Sequence, residues 1–282
     1  MSRWREEIRD LALRLVPGPA TTVLSIRSRR LSHRLVRRWG LTGIDERIVD
    51  RLGLVVADGP FAGLRFPGAA RKEHLGPYLA GTYELELHPW LAELRAQDFV
   101  RIIDVGAKLG YYALGLARWF PRATVLAFDT DPWARRVTRA GARLNGLANV
   151  AVSGRLRPED LEDLVRGVTL LISDCEGCEA RLLGSALPAS VADTWMIVET
   201  HEAQAPGVER LIGTRFSVTH DIAIRGRDAR TAPPRLASFL GSDEALRAVT
   251  EARGEQRWMF LRPRARRSSG GEPEGSPGGR LV

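Results

Sequence analysis

The sequence is poor in cysteine, methionine and long apolar runs. It has two cysteines and three methionines in 282 residues. The cysteines are three positions apart, so they cannot join distant segments as disulfides do in small secreted scaffolds. No apolar run is long enough to cross a bilayer, and early acidic residues interrupt any signal-peptide pattern. We therefore expect a cytoplasmic protein with no membrane span.

Positive charge is abundant, but it is concentrated at the two ends. The formal net charge is +8, and every cation except Lys72 and Lys108 is an arginine. Residues 1–40 hold ten arginines against three acids, and residues 261–282 hold five against two. The middle of the chain is close to neutral and offers no basic groove for a nucleic acid. We therefore do not expect a nucleic-acid partner. Because the two ends are basic, an enzyme that acts on RNA is the alternative.

Composition divides the chain into four parts. Residues 1–40 form a basic extension with a possible amphipathic helix over Arg3–Val16, and residues 41–98 form a mixed flank or lid. Residues 99–265 form the main domain. Residues 266–282, rich in Gly, Ser, Pro and Glu, are predicted to be disordered.

Short apolar runs alternate with helix-length segments in the main domain, a pattern typical of a parallel sheet with crossover helices. The predicted strands are Val100–Val105, Thr124–Phe128, Val150–Ser153, Val168–Ser173, Trp195–Thr200, Phe216–Ile224 and Trp258–Leu261. The predicted helices are Pro89–Ala96, Leu109–Phe120, Pro132–Asn145, Pro158–Val165, Glu176–Leu183 and Val208–Gly213, with a hairpin-like piece at Val55–Phe66. The pattern predicts a Rossmann-like, doubly wound, mostly parallel α/β fold with an N-terminal helical or mixed extension.

Ligands of such sheets bind beyond the carboxyl ends of the strands. After the first strand, Gly106 and Gly110 permit a tight turn before a helix whose amino terminus faces the ligand. Lys108 and Tyr111 occupy positions where a dinucleotide-binding fingerprint needs glycine, which weakens the alternative of an NAD-dependent oxidoreductase. Asp129 ends the second strand 23 residues after Gly106, close to the spacing of about 20 at which an acid binds ribose hydroxyls.

A cluster of acids with one histidine follows the fourth and fifth strands. Its members are Asp174, Glu176, Glu179, Glu199, Glu202 and His201. Such a cluster can transfer protons, hold a divalent metal or bind a cationic ligand. The alternative for Glu179 and Glu202 is a solvated position on a helix face.

Cys175 and Cys178 form a C-x-x-C pattern inside this cluster. The pattern could be redox-active or half of a zinc site. Because no second pair of suitably spaced ligands exists, we expect the two cysteines to be small apolar residues flanking the acids.

Four segments, read together and in order, resemble the class I S-adenosylmethionine-dependent methyltransferases, and specifically their FkbM-like branch. The segments are IIDVGAKLGYYALGLA, VLAFDTDPWARRVTRAGARLNGLANV, LLISDCEGCEARLL and MIVETHE, with a weaker echo in GTYELELHPW upstream. The resemblance covers roughly residues 98–224. It implies a class I methyltransferase fold, with S-adenosylmethionine as the cofactor.

The resemblance also implies roles for individual residues. Asp104, Gly106 and Gly110 would shape the methionine side of the cofactor pocket. Asp129 would bind the ribose hydroxyls, and Asp174 would face the methyl sulfonium and the acceptor. The predicted cofactor pocket is completed by neighbours of these residues, namely Ala107, Tyr111 and Thr130.

His201 is the candidate general base, since its unperturbed pKa lies near working pH. Glu199 shares its strand face and could orient the imidazole, and Asp174 completes the predicted catalytic set. The alternatives are a structural His201, or a divalent metal on Asp174, Glu176 and Glu199; no metal is among the expected cofactors. We expect O-methylation of a small molecule or sugar hydroxyl, with RNA methylation and NAD-dependent oxidation as alternatives.

Overall fold

The computed structural model describes residues 40–251 and 257–264. The predicted helix over Arg3–Val16 and the predicted tail lie outside these residues. Helices α1 (Leu41–Leu52), α2 (Gly76–Ala80) and α3 (His88–Leu94) precede the sheet. The rest of the described chain runs in the order β1 (Arg101–Val105), α4 (Tyr111–Trp119), β2 (Thr124–Phe128), α5 (Pro132–Leu144), β3 (Val150–Ser153), α6 (Leu161–Leu164), β4 (Thr169–Ser173), α7 (Glu179–Gly184), β5 (Trp195–Thr200), α8 (Val208–Phe216), β6 (His220–Gly226), α9 (Pro234–Leu240), α10 (Ser242–Val249) and β7 (Arg257–Pro263).

The described strands form one seven-stranded sheet in the order β3-β2-β1-β4-β5-β7-β6. Strands β1 to β5 are parallel, whereas β7 is antiparallel to both β5 and β6. Crossover helices link the parallel strands, as such connections require. This arrangement is a doubly wound, mostly parallel α/β sheet, so the fold class predicted from the sequence is confirmed.

Two apolar cores, one on each face, hold the sheet between helices. Successive strand residues point to opposite faces, and β1 shows this directly. Ile102 belongs to the core that contains the flank and helices α4 and α5. Ile103 belongs to the other core, with residues of α7 and α8. Strands buried on both faces explain why the sequence shows continuous apolar runs in place of alternation.

The flank before β1 packs into the first of these cores. Phe61 is buried, and its ring centroid lies 4.9 Å from that of Tyr111 on α4. The hairpin-like piece predicted at Val55–Phe66 is present: Val55 forms an antiparallel bridge with Arg65, and Val56 N donates a hydrogen bond of 2.8 Å to Leu64 O. The flank therefore lies directly against the helix that opens the candidate site.

Helix ends lie at the predicted positions where the sequence provides capping residues. The Asp131 side chain accepts a hydrogen bond from Trp133 N at 2.8 Å and caps α5, and Gly146 lies just beyond its end with φ +68°. The helix predicted from Glu176 is wrong at its start, because Glu176 and Gly177 both have positive φ and α7 begins at Glu179. The strand predicted from residue 216 begins instead at His220, since α8 extends to residue 216.

Strand register brings the candidate residues to one edge of the sheet. Val105 pairs with both Phe128 and Ser173, and Ser173 pairs with Val198. The loops that follow β1, β2 and β4 therefore leave the sheet side by side, next to the end of β5. Within the described residues, the helices are all too short or too polar to span a membrane.

Candidate active site

The loop between β1 and α4 turns on two glycines and one lysine with positive φ. Gly106 has φ +91°, Lys108 +47° and Gly110 +79°. Gly110 precedes the first residue of α4, so the amino end of that helix opens at the edge of the sheet. The Lys108 side chain pairs with the flank, with Nζ 3.7 Å from Oε2 of Glu73.

Asp104 lies at the floor of the site and is 3% exposed. Its Oδ2 accepts a hydrogen bond of 3.0 Å from Ala113 N on α4. Burial raises the pKa of Asp104 to about 7, against the opposing effect of that hydrogen bond, and the charges of Asp174 and Asp129 add to the rise. The site thus holds an acid that becomes fully charged only above neutral pH or beside a cation.

Asp129 follows β2 and is fixed by two backbone amides. Its Oδ2 accepts from Lys108 N at 2.8 Å and its Oδ1 accepts from Asp131 N at 2.7 Å. Burial raises its pKa, while these two hydrogen bonds oppose the rise. Each carboxylate oxygen has a second lone pair, so the group can still accept hydrogen bonds from a diol.

The remaining predicted pocket residues are neighbours of these acids. Ala107 and Tyr111 are buried, and Thr130 is half-buried. The Tyr111 ring packs among Phe61 and Tyr83. Tyr111 therefore supports the wall behind the loop, and its contact with a cofactor stays a prediction.

The loop after β4 is closed on itself by a disulfide between Cys175 and Cys178. The expectation that the two cysteines serve only as small apolar residues is therefore wrong. Between them, Glu176 and Gly177 have φ +57° and +102°. The bridge and these two residues turn the chain sharply, directly after the predicted catalytic Asp174.

Glu179 is buried at 0% exposure beneath this loop, so its alternative as a solvated residue is wrong. Its Oε1 accepts from Cys175 N at 2.9 Å and from His201 Nδ1 at 3.0 Å, and its Oε2 accepts from Gly177 N at 2.9 Å. The carboxylate therefore joins the loop after β4 to the histidine after β5.

The other ring nitrogen of His201 faces three carboxylates. Nε2 lies 3.5 Å from Asp174 Oδ1, 3.7 Å from Glu176 Oε2 and 3.7 Å from Glu199 Oε1. The prediction that Glu199 orients the imidazole needs correction, because Glu179 holds Nδ1 and Glu199 is near only Nε2. Position 201 lies beyond the last residue of β5, where the alternation of a strand no longer fixes side-chain direction.

Burial alone would lower the pKa of His201, but its charged neighbours reverse the direction. The hydrogen bond to Glu179 and the charges of Glu179, Asp174 and Glu176 together raise the pKa above its ordinary value. The imidazole therefore takes up a proton readily and can act as a general base above that raised pKa.

Glu202 is exposed and turns away from the cluster. Its oxygens accept from Gly207 N at 2.6 Å and Glu209 N at 2.9 Å, next to the start of α8. Those hydrogen bonds lower its pKa. Glu202 is therefore a capping residue, and the acids around His201 are the other four.

Glu84, from the flank, is a site residue that the sequence reasoning missed. It is fully buried, has φ +47°, and its carboxylate accepts a hydrogen bond from the Tyr112 hydroxyl. A side-chain oxygen of Glu84 lies within 4.8 Å of those of Asp174 and Glu199. The upstream segment GTYELELHPW contained the signal, since it echoes the same family.

A buried ion network holds Glu84 in this conformation. Glu84 N donates to Glu251 Oε1 at 3.2 Å. The Arg230 side chain, 3% exposed, bridges Glu251 Oε1 at 2.7 Å and Glu86 Oε2 at 2.9 Å. Among the described residues, the non-glycine positions with positive φ are Glu84, Lys108 and Glu176, and all three border the site. Such conformations are costly and concentrate where function requires them.

The arrangement is suited to a cationic ligand beside a proton acceptor. Asp104, Asp129 and Asp174 can bind a positively charged molecule with a ribose, and His201 Nε2 can accept a proton. Two groups of side chains are also close enough together to approach a divalent cation, namely Asp174, Glu176 and His201, and Glu84, Asp174 and Glu199. The predicted residues Asp104, Asp129, Asp174 and His201 thus lie together at one edge of the sheet.

Comparison with known proteins finds methyltransferases. No protein-family model matches the chain. A stretch of 70 residues is 43% identical to the release factor glutamine methyltransferase of Deinococcus radiodurans. That stretch is 25% of this chain, and the chain spans only a quarter of the length of that curated relative.

Solved structures with related architecture include methyltransferases. The precorrin-6Y C5,15-methyltransferase of Geobacter metallireducens GS-15 has a TM-score of 0.43 at 13% identity, over 60% of this chain and 82% of that one. The O-methyltransferase TomG of Streptomyces achromogenes, solved with S-adenosylmethionine, has a TM-score of 0.42 at 15% identity, over 78% and 96%. At these identities the likeness concerns the fold.

Proposed function

We propose that the protein is an S-adenosylmethionine-dependent methyltransferase that methylates a hydroxyl group of a small molecule or sugar. The observation that supports this most is the convergence of Asp104, Asp129, Asp174 and His201 at one sheet edge. We also propose that it belongs to the FkbM-like branch, on the D-x-E-G-x-E segment at the end of β4.

The donor set suits this cofactor. Asp129, fixed by two backbone amides, would bind the ribose hydroxyls. Asp104 and Asp174 would face the positively charged amino acid and sulfonium end, where carboxylates are favourable neighbours. When bound, S-adenosylmethionine supplies an electrophilic methyl group on a sulfonium.

His201 would remove the proton of the acceptor hydroxyl at Nε2. The pKa of a hydroxyl lies far above neutral, so a nearby base assists its attack. Asp174 and Glu199 lie beside Nε2 and would orient the acceptor hydroxyl toward it. Because the pKa of His201 is raised, methyl transfer should increase with pH until the imidazole is neutral.

Calorimetry with S-adenosylhomocysteine tests the cofactor assignment. Wild type should bind it and should not bind NAD, and Asp129→Ala should weaken binding at least tenfold. The matched control is Asp50→Ala, which removes an exposed acid on α1. Binding of NAD alone, or unchanged affinity in Asp129→Ala, would refute the assignment.

Methyl transfer is tested by incubating the protein and cell extract with a labelled methyl donor, followed by mass spectrometry. We expect label in a small molecule or sugar as a methyl ether. His201→Gln should retain S-adenosylhomocysteine binding and lose transfer by about 10²- to 10⁴-fold. Label in RNA, or full activity of His201→Gln, would contradict the proposed acceptor or the proposed base.

A further inference from the structure

Glu179 occupies an unusual position for a carboxylate. It is the first residue of α7, it is completely buried, and it accepts three hydrogen bonds. Two come from backbone amides of the disulfide-closed loop, Cys175 N and Gly177 N, and the third comes from His201. A buried charge is tolerated when its lone pairs are used in this way.

The bond to His201 fixes which ring nitrogen carries the proton. A carboxylate can only accept, so Nδ1 must donate to Glu179. In the neutral imidazole the lone pair then lies on Nε2, which faces Asp174 at 3.5 Å and Glu199 at 3.7 Å. These distances are longer than hydrogen bonds, and Nε2 lies on the side of His201 where Asp174 is predicted to meet the acceptor.

The same carboxylate holds the opposite wall of the site. Cys175 N and Gly177 N flank Glu176, whose backbone is in the left-handed region. Their bonds to Glu179 fix the loop that begins with Asp174. Glu179 therefore sets the position of the loop and of the imidazole relative to each other.

We propose that Glu179 is the positioning residue of the site, which holds His201 as the Nδ1–H tautomer with the Nε2 lone pair directed to the acceptor. The hydrogen bond that one ring nitrogen makes sets which of the two nitrogens carries the proton. An isolated imidazole makes no such bond, so its tautomer is not fixed. The use of that lone pair in methyl transfer rests on the proposed function, whereas the assignment of the tautomer does not.

Nitrogen NMR of ¹⁵N-histidine-labelled full-length protein tests the proposal without an acceptor. Spectra are recorded with a chelator present, at a pH where His201 is neutral, and its signal is assigned among the five histidines by its loss in His201→Gln. Wild type should show the Nδ1–H tautomer. Glu179→Leu should reverse the preference, and Glu179→Gln, which retains one acceptor oxygen, should largely preserve it.

Glu202→Gln is the matched control, since Glu202 also accepts two backbone amides but does not contact His201. It should leave the His201 spectrum unchanged. An Nε2–H tautomer in wild type refutes the proposal even if Glu179→Leu fails to fold. If wild type does not bind S-adenosylhomocysteine, the proposed function is refuted instead. Failure of the positioning role of Glu179 and failure of the proposed function are therefore distinguishable.

Discussion

A Cβ atom placed on Gly106 would lie 1.7 Å from the backbone oxygen of Asp174. The loops after β1 and β4 are therefore in direct backbone contact, at the centre of the sheet edge. Only glycine permits that contact, and its φ of +91° is unfavourable for any other residue.

Gly106→Ala should therefore destabilise the protein and abolish S-adenosylhomocysteine binding. Backbone strain costs about 1–2 kcal/mol, and overpacking adds about 1–3 kcal/mol. Gly154→Ala is the control, since a Cβ there meets nothing within 4 Å. Urea unfolding and calorimetry measure both effects, and equal behaviour of the two variants would contradict the expectation.

The raised pKa of Asp104 predicts a pH-dependent stability. Its folded pKa of about 7 exceeds its ordinary 3.8, so the native state binds the proton more tightly than the unfolded chain. The associated stability is complete below the unfolded pKa and is lost as pH rises through about 7. The raised pKa of His201 acts in the same direction.

Asp104→Asn separates the contribution of Asp104 to the pH dependence of stability from that of His201. The amide oxygen of the asparagine can still accept the hydrogen bond from Ala113 N. Above neutral pH the variant should be more stable than wild type, by at most about 4 kcal/mol. Near pH 4 the difference should vanish. The free energy of unfolding measured by urea across this range checks the prediction, and parallel pH profiles would disprove it.

Arg230 should be essential for stability because it neutralises two buried acids. In Arg230→Met, Glu86 and Glu251 lose their bridging cation, and breaking a buried pair costs about 3–5 kcal/mol. Arg47→Met is the control, because the Arg47–Glu244 pair is exposed and should contribute less than about 1 kcal/mol. Similar unfolding midpoints for the two variants would rule out this role for Arg230.

Reduction of the Cys175–Cys178 bridge should loosen the loop that holds Asp174. A dithiol reductant converts the disulfide to two thiols and is itself oxidised to a disulfide. For such a short loop we expect a loss of about 2 kcal/mol and weaker S-adenosylhomocysteine binding. The Cys175→Ser/Cys178→Ser double variant should have the stability and S-adenosylhomocysteine affinity of reduced wild type. Adding the reductant should change neither property in this variant. No response of wild type to reduction would contradict this prediction.

The sequence by itself determined the fold class and most of the sheet. Apolar runs identified the strands Thr124–Phe128, Val150–Ser153 and Trp195–Thr200 with the bounds that the structure has. The predicted helix Pro132–Asn145 lies between Asp131, which caps α5, and Gly146, just beyond its end. These features are local, since burial on both faces and helix capping leave their pattern in neighbouring residues.

The sequence also located the candidate chemistry, because parallel strands bring their carboxyl ends to one edge. It identified Asp104, Asp129, Asp174 and His201 as candidate site residues. It did not identify Glu84, whose place in the site depends on an ion network through Arg230 and Glu251. Those partners lie 146 and 167 residues further along the chain.

Only the tertiary structure decided how these groups pair. Spacing suggested Glu199 as the partner of His201, whereas the fold places Glu179 against Nδ1 and leaves Glu199 beside Nε2. It likewise joined two cysteines that were expected to be passive. The physical reason is that a side chain's partner is set by three-dimensional distance, and positive φ at Glu176 and Gly177 redirects the chain in a way no periodic pattern records.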